Sequence, residues 1–285
     1  MYASALRSDA VRPVAPPAPA ARQRAHGRVA LSVARLGAET RPVRIAESGS
    51  SRVRLPRVAG AALEGVLINT AGGVACGDRF EVEAEVGAGA DLVLTAPAAE
   101  KVYRSDGATA EVAIRVTLDE GAGLAWLPQE TILFDTARLR RRFDADLAPD
   151  ARLLVFESVV FGRSAFGEEV AWGFFEDRWR IRRGGRLVYA DSLRLSGPIA
   201  GLLDRPAVAA GARALATLVY VAPDAEARLK EAREALSGSA CAAGCSAWNG
   251  LLAVRFLAHD AAALRATAIG FIEAFRGPLP RVWRS

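Results

Sequence analysis

The chain is poor in the residues that most often carry catalysis or tight metal binding. Its 285 residues include three cysteines and two histidines. Cys76, Cys241 and Cys245 form an odd, sparse set, which excludes a disulfide-stapled scaffold and suits a reducing compartment. Cys241 and Cys245 have no nearby histidine and no second cysteine pair, so they read as small packing residues rather than a zinc site. With only His26 and His259 available, and a Gly162–Gly167 turn that lacks the G-x-S-x-G spacing, a Ser-His-Asp triad is not expected. No apolar run reaches the roughly eighteen residues of a spanning helix. The first 25 residues lack a continuous apolar stretch of the secretory kind and are rich in Ala, Pro and Arg, so residues 1–25 are expected to be a disordered tail. Lysine is almost missing: Lys101 and Lys230 are the only two among 37 basic residues. That skew, with a net charge of only +5 spread along the chain, speaks for nucleotide-composition bias and against a nucleic-acid surface. A cytoplasmic location and no membrane association are expected.

Apolar residues make up 51% of the sequence, enough for a substantial core over residues 26–285, read as a single β-rich domain. From Gly27 to Arg194 the pattern is one short strand after another, punctuated by Gly, Pro and Asp. Within it a motif recurs. Val86–Leu94 (VGAGADLVL) is echoed by Leu118–Trp126 (LDEGAGLAW), Leu147–Val155 (LAPDARLLV) and, more weakly, Ile181–Tyr189 (IRRGGRLVY). Anchored on Ala90, Ala122, Ala151 and Gly185, the spacings are 32, 29 and 34 residues. Such a period implies stacked β-units that bury their apolar faces on one another. The expected fold is therefore mainly β, a solenoid-like stack of antiparallel or mixed sheets with two C-terminal helices. The helices are predicted over Pro223–Leu236 and Asp260–Phe275, with a buried strand at Leu251–Leu257 between them.

Asn69–Phe80 (NTAGGVACGDRF) is a Gly-rich loop closing on Asp78. Phosphate-cradling loops run into a helix, but Phe80–Val86 alternates apolar and acidic residues as a strand does. A nucleotide loop is thereby excluded. The remaining chemistry is carboxylate: Glu130 within Trp126–Phe134 (WLPQETILF), Glu157 after an apolar run, and Glu168 beside Gly162–Gly167. Paired carboxylates could serve a β-solenoid glycosidase or lyase, with Glu157 and Glu168 as the pair. The cluster at Arg138–Arg142 is the one dense basic segment and reads as a solvated turn or partner contact.

The blocks Asn69–Gly73 with Gly77 and Asp78, Ala99–Ser105 (AEKVYRS), Trp126–Phe134, Gly162–Glu168 and the closing Leu279–Trp283 (LPRVW) stand in an order that resembles the urease accessory protein D family over roughly Gly27 to Trp283. Cys76 stands where that family commonly has Gly, and Arg54–Arg57 matches it poorly. The resemblance implies a mainly β, solenoid-like fold with two helices and a non-enzymatic chaperone. It implies work on urease apoprotein in a complex with urease accessory protein F and urease accessory protein G, a GTPase. The outcome it implies is GTP-dependent insertion of nickel into urease, by way of a water-filled polar channel. No cofactor would be bound permanently; nickel would be in transit. A path of this kind needs weak, exchangeable oxygen ligands. That logic selects Asp78, Glu130, Glu157 and Glu168, with Lys101, Tyr103 and Ser105 as polar companions. The C-terminal helices and the Leu279–Trp283 tail are expected to be docking elements.

Overall fold

The computed structural model describes residues 24–58, 62–163 and 166–284. Most of the expected tail, residues 1–23, and Ser164 and Ala165 of the Gly162–Gly167 turn lie outside the described residues. Arg24 and Ala25, at the end of that tail, are held. The Ala25 N–H donates to Asp78 at 2.8 Å and the Arg24 guanidinium to Cys76 Sγ at 3.1 Å.

The chain opens with the hairpin β1 (His26–Leu36) and β2 (Glu39–Gly49), then crosses with β3 (Ser51–Arg54) and β4 (Leu63–Asn69). It proceeds through β5 (Arg79–Val86), β6 (Asp91–Thr95), β7 (Glu100–Val102), β8 (Ala110–Leu118), β9 (Gly123–Leu127) and β10 (Thr131–Leu133). Next come β11 (Arg138–Leu147), β12 (Arg152–Phe161), β13 (Gly173–Arg183) and β14 (Arg186–Gly197). The remainder is α1 (Ile199–Leu203), β15 (Ala214–Val221), α2 (Leu229–Ala235), β16 (Ala242–Trp248), β17 (Leu251–Ala258), α3 (Ala261–Arg276) and a final 3-10 turn at Arg281–Arg284.

These strands form two sheets. One has seven strands in the order β14-β13-β11-β8-β5-β1-β2; the other has ten, running β16-β17-β15-β12-β9-β6-β4-β3 with β10 and β7 attached beside β12. The middle of each sheet is parallel, because the chain switches sheets at every corner: β5 to β6, β8 to β9, β11 to β12. Side chains from both inner faces, among them Leu31, Ile114, Phe143, Leu153 and Trp179, form the main core. A second core lies on the far side of the ten-stranded sheet, where Phe271, Ile272 and Phe275 of α3 cover Phe156, Leu218 and Phe256.

The sequence repeat is the corner of this stack. Ala90, Ala122 and Ala151 are each fully buried, and each amide closes a tight turn onto the residue three before it. Successive corners are laddered, with Asp119 N–H on Val86 O at 3.0 Å and Ala148 N–H on Leu118 O at 2.8 Å. The fourth copy departs. At Gly184 and Gly185 the backbone takes φ of +54° and +76°, and the chain folds back as the β13–β14 hairpin within one sheet. Two consecutive residues at positive φ favour a hairpin turn whose twist matches its strands, so the stack ends there.

Among the described residues the two expected C-terminal helices, α2 and α3, are present, and the short α1 precedes them. The long one begins as expected, with the Asp260 carboxylate accepting the Ala263 N–H at 2.8 Å. The earlier one covers only Leu229–Ala235. Asp224, its expected start, is engaged by the Tyr220 hydroxyl at 2.9 Å instead, and residues 223–228 form turns. The C-terminal tail is a buried clasp, not a free docking element. Leu279 and Trp283 are 6% and 4% exposed, and the Trp283 indole N–H is shared between Thr95 Oγ1 at 3.2 Å and Leu127 O at 3.1 Å.

The corner column leaves no room for a larger side chain, so Ala122→Leu should overpack it and cost about 1–3 kcal/mol, read as a lower urea midpoint with an unchanged slope.

Candidate functional site

Where the apolar core thins out, beneath the loop that follows β4, the two sheets enclose a cavity of about 140 Å³. Its walls are largely apolar, with Val29, Val82 and Ile114 from the seven-stranded sheet. Polar groups enter from specific strands: Asn69 from the end of β4, Glu100 from β7, Gln129 and Thr131 around β10, Arg141 from β11 and Glu157 from β12.

Glu157 interrupts a strand that is buried along nearly its whole length. It faces inward, accepting the Trp126 indole N–H at 2.8 Å and a charge-assisted bond from Arg141. The Arg141 guanidinium also reaches Asp177 through Nε at 3.1 Å and Nη2 at 2.6 Å, and Thr131 Oγ1 at 3.3 Å. Asp177 accepts in addition from the Trp179 indole at 3.0 Å. The result is a bridge across the sheets with two carboxylates for one guanidinium. Burial disfavours the Arg141 charge, but Asp177 and Glu157 outweigh it and keep the guanidinium protonated. Burial raises the Glu157 carboxyl above the ordinary range; Arg141 opposes this and Asp177 reinforces it. Glu157 is thus the protonatable member of the bridge.

Glu100 lies elsewhere on the same cavity wall. Burial pushes its carboxyl up to about 7, and its polar company is the Asn69 amide, 3.3 Å from each oxygen. Asn69 also shapes the Gly-rich turn: its amide donates to Gly73 O at 2.8 Å and its oxygen accepts the Ala71 N–H at 2.9 Å. One residue therefore couples the turn to the half-buried carboxyl.

Of the four carboxylates selected from sequence, Glu157 alone lines this cavity. Asp78 is 3% exposed, and both its oxygens accept backbone N–H groups, from Ala25 at 2.8 Å and Ala75 at 2.7 Å. Its visible role is to fix the loop. Glu130 points to the other side of the ten-stranded sheet, 3.1 Å from Arg265 of α3. Glu168 pairs with Arg163 in its own turn, so it shares no cleft with Glu157 of the kind a glycosidase pair would need. Lys101 is exposed, the Tyr103 hydroxyl donates to Gly72 O at 2.8 Å, and the Ser105 hydroxyl to Ala108 O at 2.6 Å. Cys76 is buried away from the cavity, its thiol donating to Asp106 at 2.8 Å. Among the described residues no group of three or more His, Cys, Asp and Glu side chains converges as a metal site.

Glu100 is the residue that sequence reasoning passed over. The signal was present: in a three-residue strand whose Val102 is a core residue, period two turns Glu100 inward and Lys101 outward. Chemically the cavity offers two carboxyl groups of raised proton affinity, set in mostly apolar walls. Such groups exchange a proton for a cation near neutral pH and lack the third ligand that would trap it.

The UreD urease accessory protein family matches residues 25–284 of this chain. Over 263 residues the chain is 59% identical to the urease accessory protein UreD of Azorhizobium caulinodans, covering 92% of this chain and 97% of that protein. Similarity to the Xanthobacter autotrophicus urease accessory protein UreD is 56% identity over 284 residues, 99% of this chain and 98% of that one. The corresponding protein of Rhodopseudomonas palustris is 50% identical over 261 residues, 91% and 93% of the two chains. No helix among the described residues is long and apolar enough to cross a membrane.

The folded-state carboxyl of Glu100 sits near 7, above its unfolded value, so its contribution to stability is complete below about pH 4.5 and is lost as pH rises through 7. Glu100→Gln should therefore match the parent protein in acid and exceed it by up to about 3 kcal/mol at pH 8. Urea unfolding at both pH values measures this; an equal difference at both would show that Glu100 does not titrate in this window.

Proposed function

The chain belongs to the UreD urease accessory protein family, and from that premise we propose that it is a non-enzymatic chaperone whose internal cavity passes nickel toward urease. The family gives it a role in urease maturation. The finer reading is that it works in the cytoplasm on urease apoprotein, in a complex with urease accessory protein F and the GTPase urease accessory protein G. Nickel is its cargo and no cofactor is held permanently.

One observation carries this reading: Glu100 and Glu157, both with raised carboxyl pKa values, line a single cavity between the sheets. A passage for an ion must bind it well enough to admit it and weakly enough to release it. Two carboxyl oxygens in an apolar wall meet that requirement, whereas a closed set of thiolates or imidazoles would trap the ion. Asn69 and Arg141 hold the two carboxyls from behind. Asp78, Glu130 and Glu168 serve the path indirectly, by fixing the loops and helix that wall it.

The test is coexpression of the urease operon with the parent chain, Glu100→Gln, Glu157→Gln, the double variant, or no copy of the gene. Nickel per urease active site and co-purification of the accessory complex are the readouts. The double variant should keep the complex and lower urease nickel several-fold. Normal nickel with the double variant would overturn the passage, and fully loaded urease without the gene would overturn the maturation role itself.

A further inference from the structure

Helices α2 and α3 pack against the ten-stranded sheet, and among the described residues no element covers the outer face of the seven-stranded one. Side chains on that face are well exposed, as Arg28 (48%), Glu81 (46%) and Arg115 (57%) illustrate. On the four central strands they are almost all charged, and the strand register places them in level rows. From β5 through β8 and β11 to β13 the rows read Arg79, Glu111, Arg140, Glu176; then Glu81, Ala113, Arg142, Arg178; then Glu83, Arg115, Asp144, Arg180; then Glu85, Thr117, Asp146, Arg182.

The charges invert about the line between β8 and β11. Arg79 corresponds to Glu176, Glu81 to Arg178, Glu83 to Arg180 and Glu85 to Arg182. On the inner strands Glu111 corresponds to Arg140 and Arg115 to Asp144. The other two inner pairs, Ala113 with Arg142 and Thr117 with Asp146, contain one charge each. No pair carries like charges. In the Arg column of β13, Arg180 and Arg182 stand level with Asp144 and Asp146 of β11, yet these two, like Arg142 beside them, hold no salt bridge among the described residues. Like charges two residues apart on one strand face repel one another, so this column gains from an opposing acidic column.

We propose that this face is a self-association surface, on which two copies of the chain pack sheet to sheet about a two-fold axis parallel to the strands and lying between β8 and β11. That operation sets every residue opposite its partner in the pairs above, at the same level, twice per dimer. It is the arrangement the pattern fits. Moving the axis one half-step onto β8 would set Glu83 against Asp144, Glu85 against Asp146 and Arg79 against Arg140. An axis running across the strands would set Glu81, Glu83 and Glu85 against their own column. The rows span about 800 Å² of footprint per copy when β1 and β14 are included, the size of a standard protein interface. Because the contact is charged and its rim wet, affinity is salt-dependent. A second copy, rather than some other acidic protein, is the occupant because the acidic column that matches the Arg column in spacing and register is on the same face.

The test is sedimentation of the full-length chain at low and high salt, alone and as two single variants, Arg182→Glu and Glu85→Arg. Arg182 has no salt bridge among the described residues and Glu85 accepts only from the Ser32 hydroxyl, so neither change breaks an ion pair within the chain. The parent should dimerise at low salt, with a dissociation constant at least about tenfold higher at 0.5 M NaCl. Each variant alone should be monomeric over the same range, since each puts like charges opposite one another. Mixed, the two should form a heterodimer. The unaltered Glu85 of one variant then meets the unaltered Arg182 of the other, and the two substituted positions also face each other with opposite charges. This recovery shows that both variants are folded. A parent chain that stays monomeric at low salt overturns the proposal, and so do variants that fail to recover on mixing. A monomer whose Arg182→Glu variant loses binding to urease would assign the face to an acidic partner instead, and would equally overturn it. None of these outcomes bears on the nickel readouts of the cavity variants.

Discussion

The Arg141 guanidinium, held between the buried carboxylates of Glu157 and Asp177, ties the two sheets together at the point where their apolar core gives way to a cavity. Burying charge is costly, by several kcal/mol per ion, and is tolerated only where hydrogen bonds satisfy what the ion pairs do not. Here the Trp126 and Trp179 indoles and the Thr131 hydroxyl supply those bonds. A fully used network of this kind fixes one relative placement of its strands. Burial is also what raises the Glu157 carboxyl, with the Asp177 charge adding to it and Arg141 opposing it.

The cavity depends on this bridge and on a local irregularity of the stack. At the regular corners, buried alanines bring successive coils close and the sheets meet across a closed core. At the opposite ends of the same coils the chain inserts the short strands β7 and β10 and the Gly-rich loop after β4. Asp78 and Asn69 hold that loop through backbone groups. Polar residues can therefore line a space between the sheets, with Glu157 and Arg141 buried and Asn69 and Glu100 half-buried. The far face of the ten-stranded sheet is sealed by α3 and clasped by Trp283. The outer face of the other sheet is left to its charges.

Much of the architecture was legible in the chain. The alanine-anchored repeat located three of the four corners, and period-two alternation located β5 and, in hindsight, the inward turn of Glu100. The fourth copy misled because a Gly-Gly pair resembles a corner in composition while its positive φ values make a hairpin. The α2 start misled because Asp224 had a competing partner in Tyr220, adjacent only through the fold. The site was less legible. Asp78, Glu130 and Glu168 are carboxylates in family-like motifs, yet each is consumed by a structural contact with a residue distant in sequence or turned in by a loop.

The sequence by itself determined the alternation of strand and turn, the inward or outward sense of each residue on a strand, and the family to which the chain belongs. These follow from backbone geometry and side-chain chemistry that act over a few residues. Only the tertiary structure decided which carboxyls share a cavity, which are neutralised, and which face is bare. Those outcomes turn on burial and on partners such as Arg141 and Glu157, which lie on different sheets and meet only once both sheets have formed.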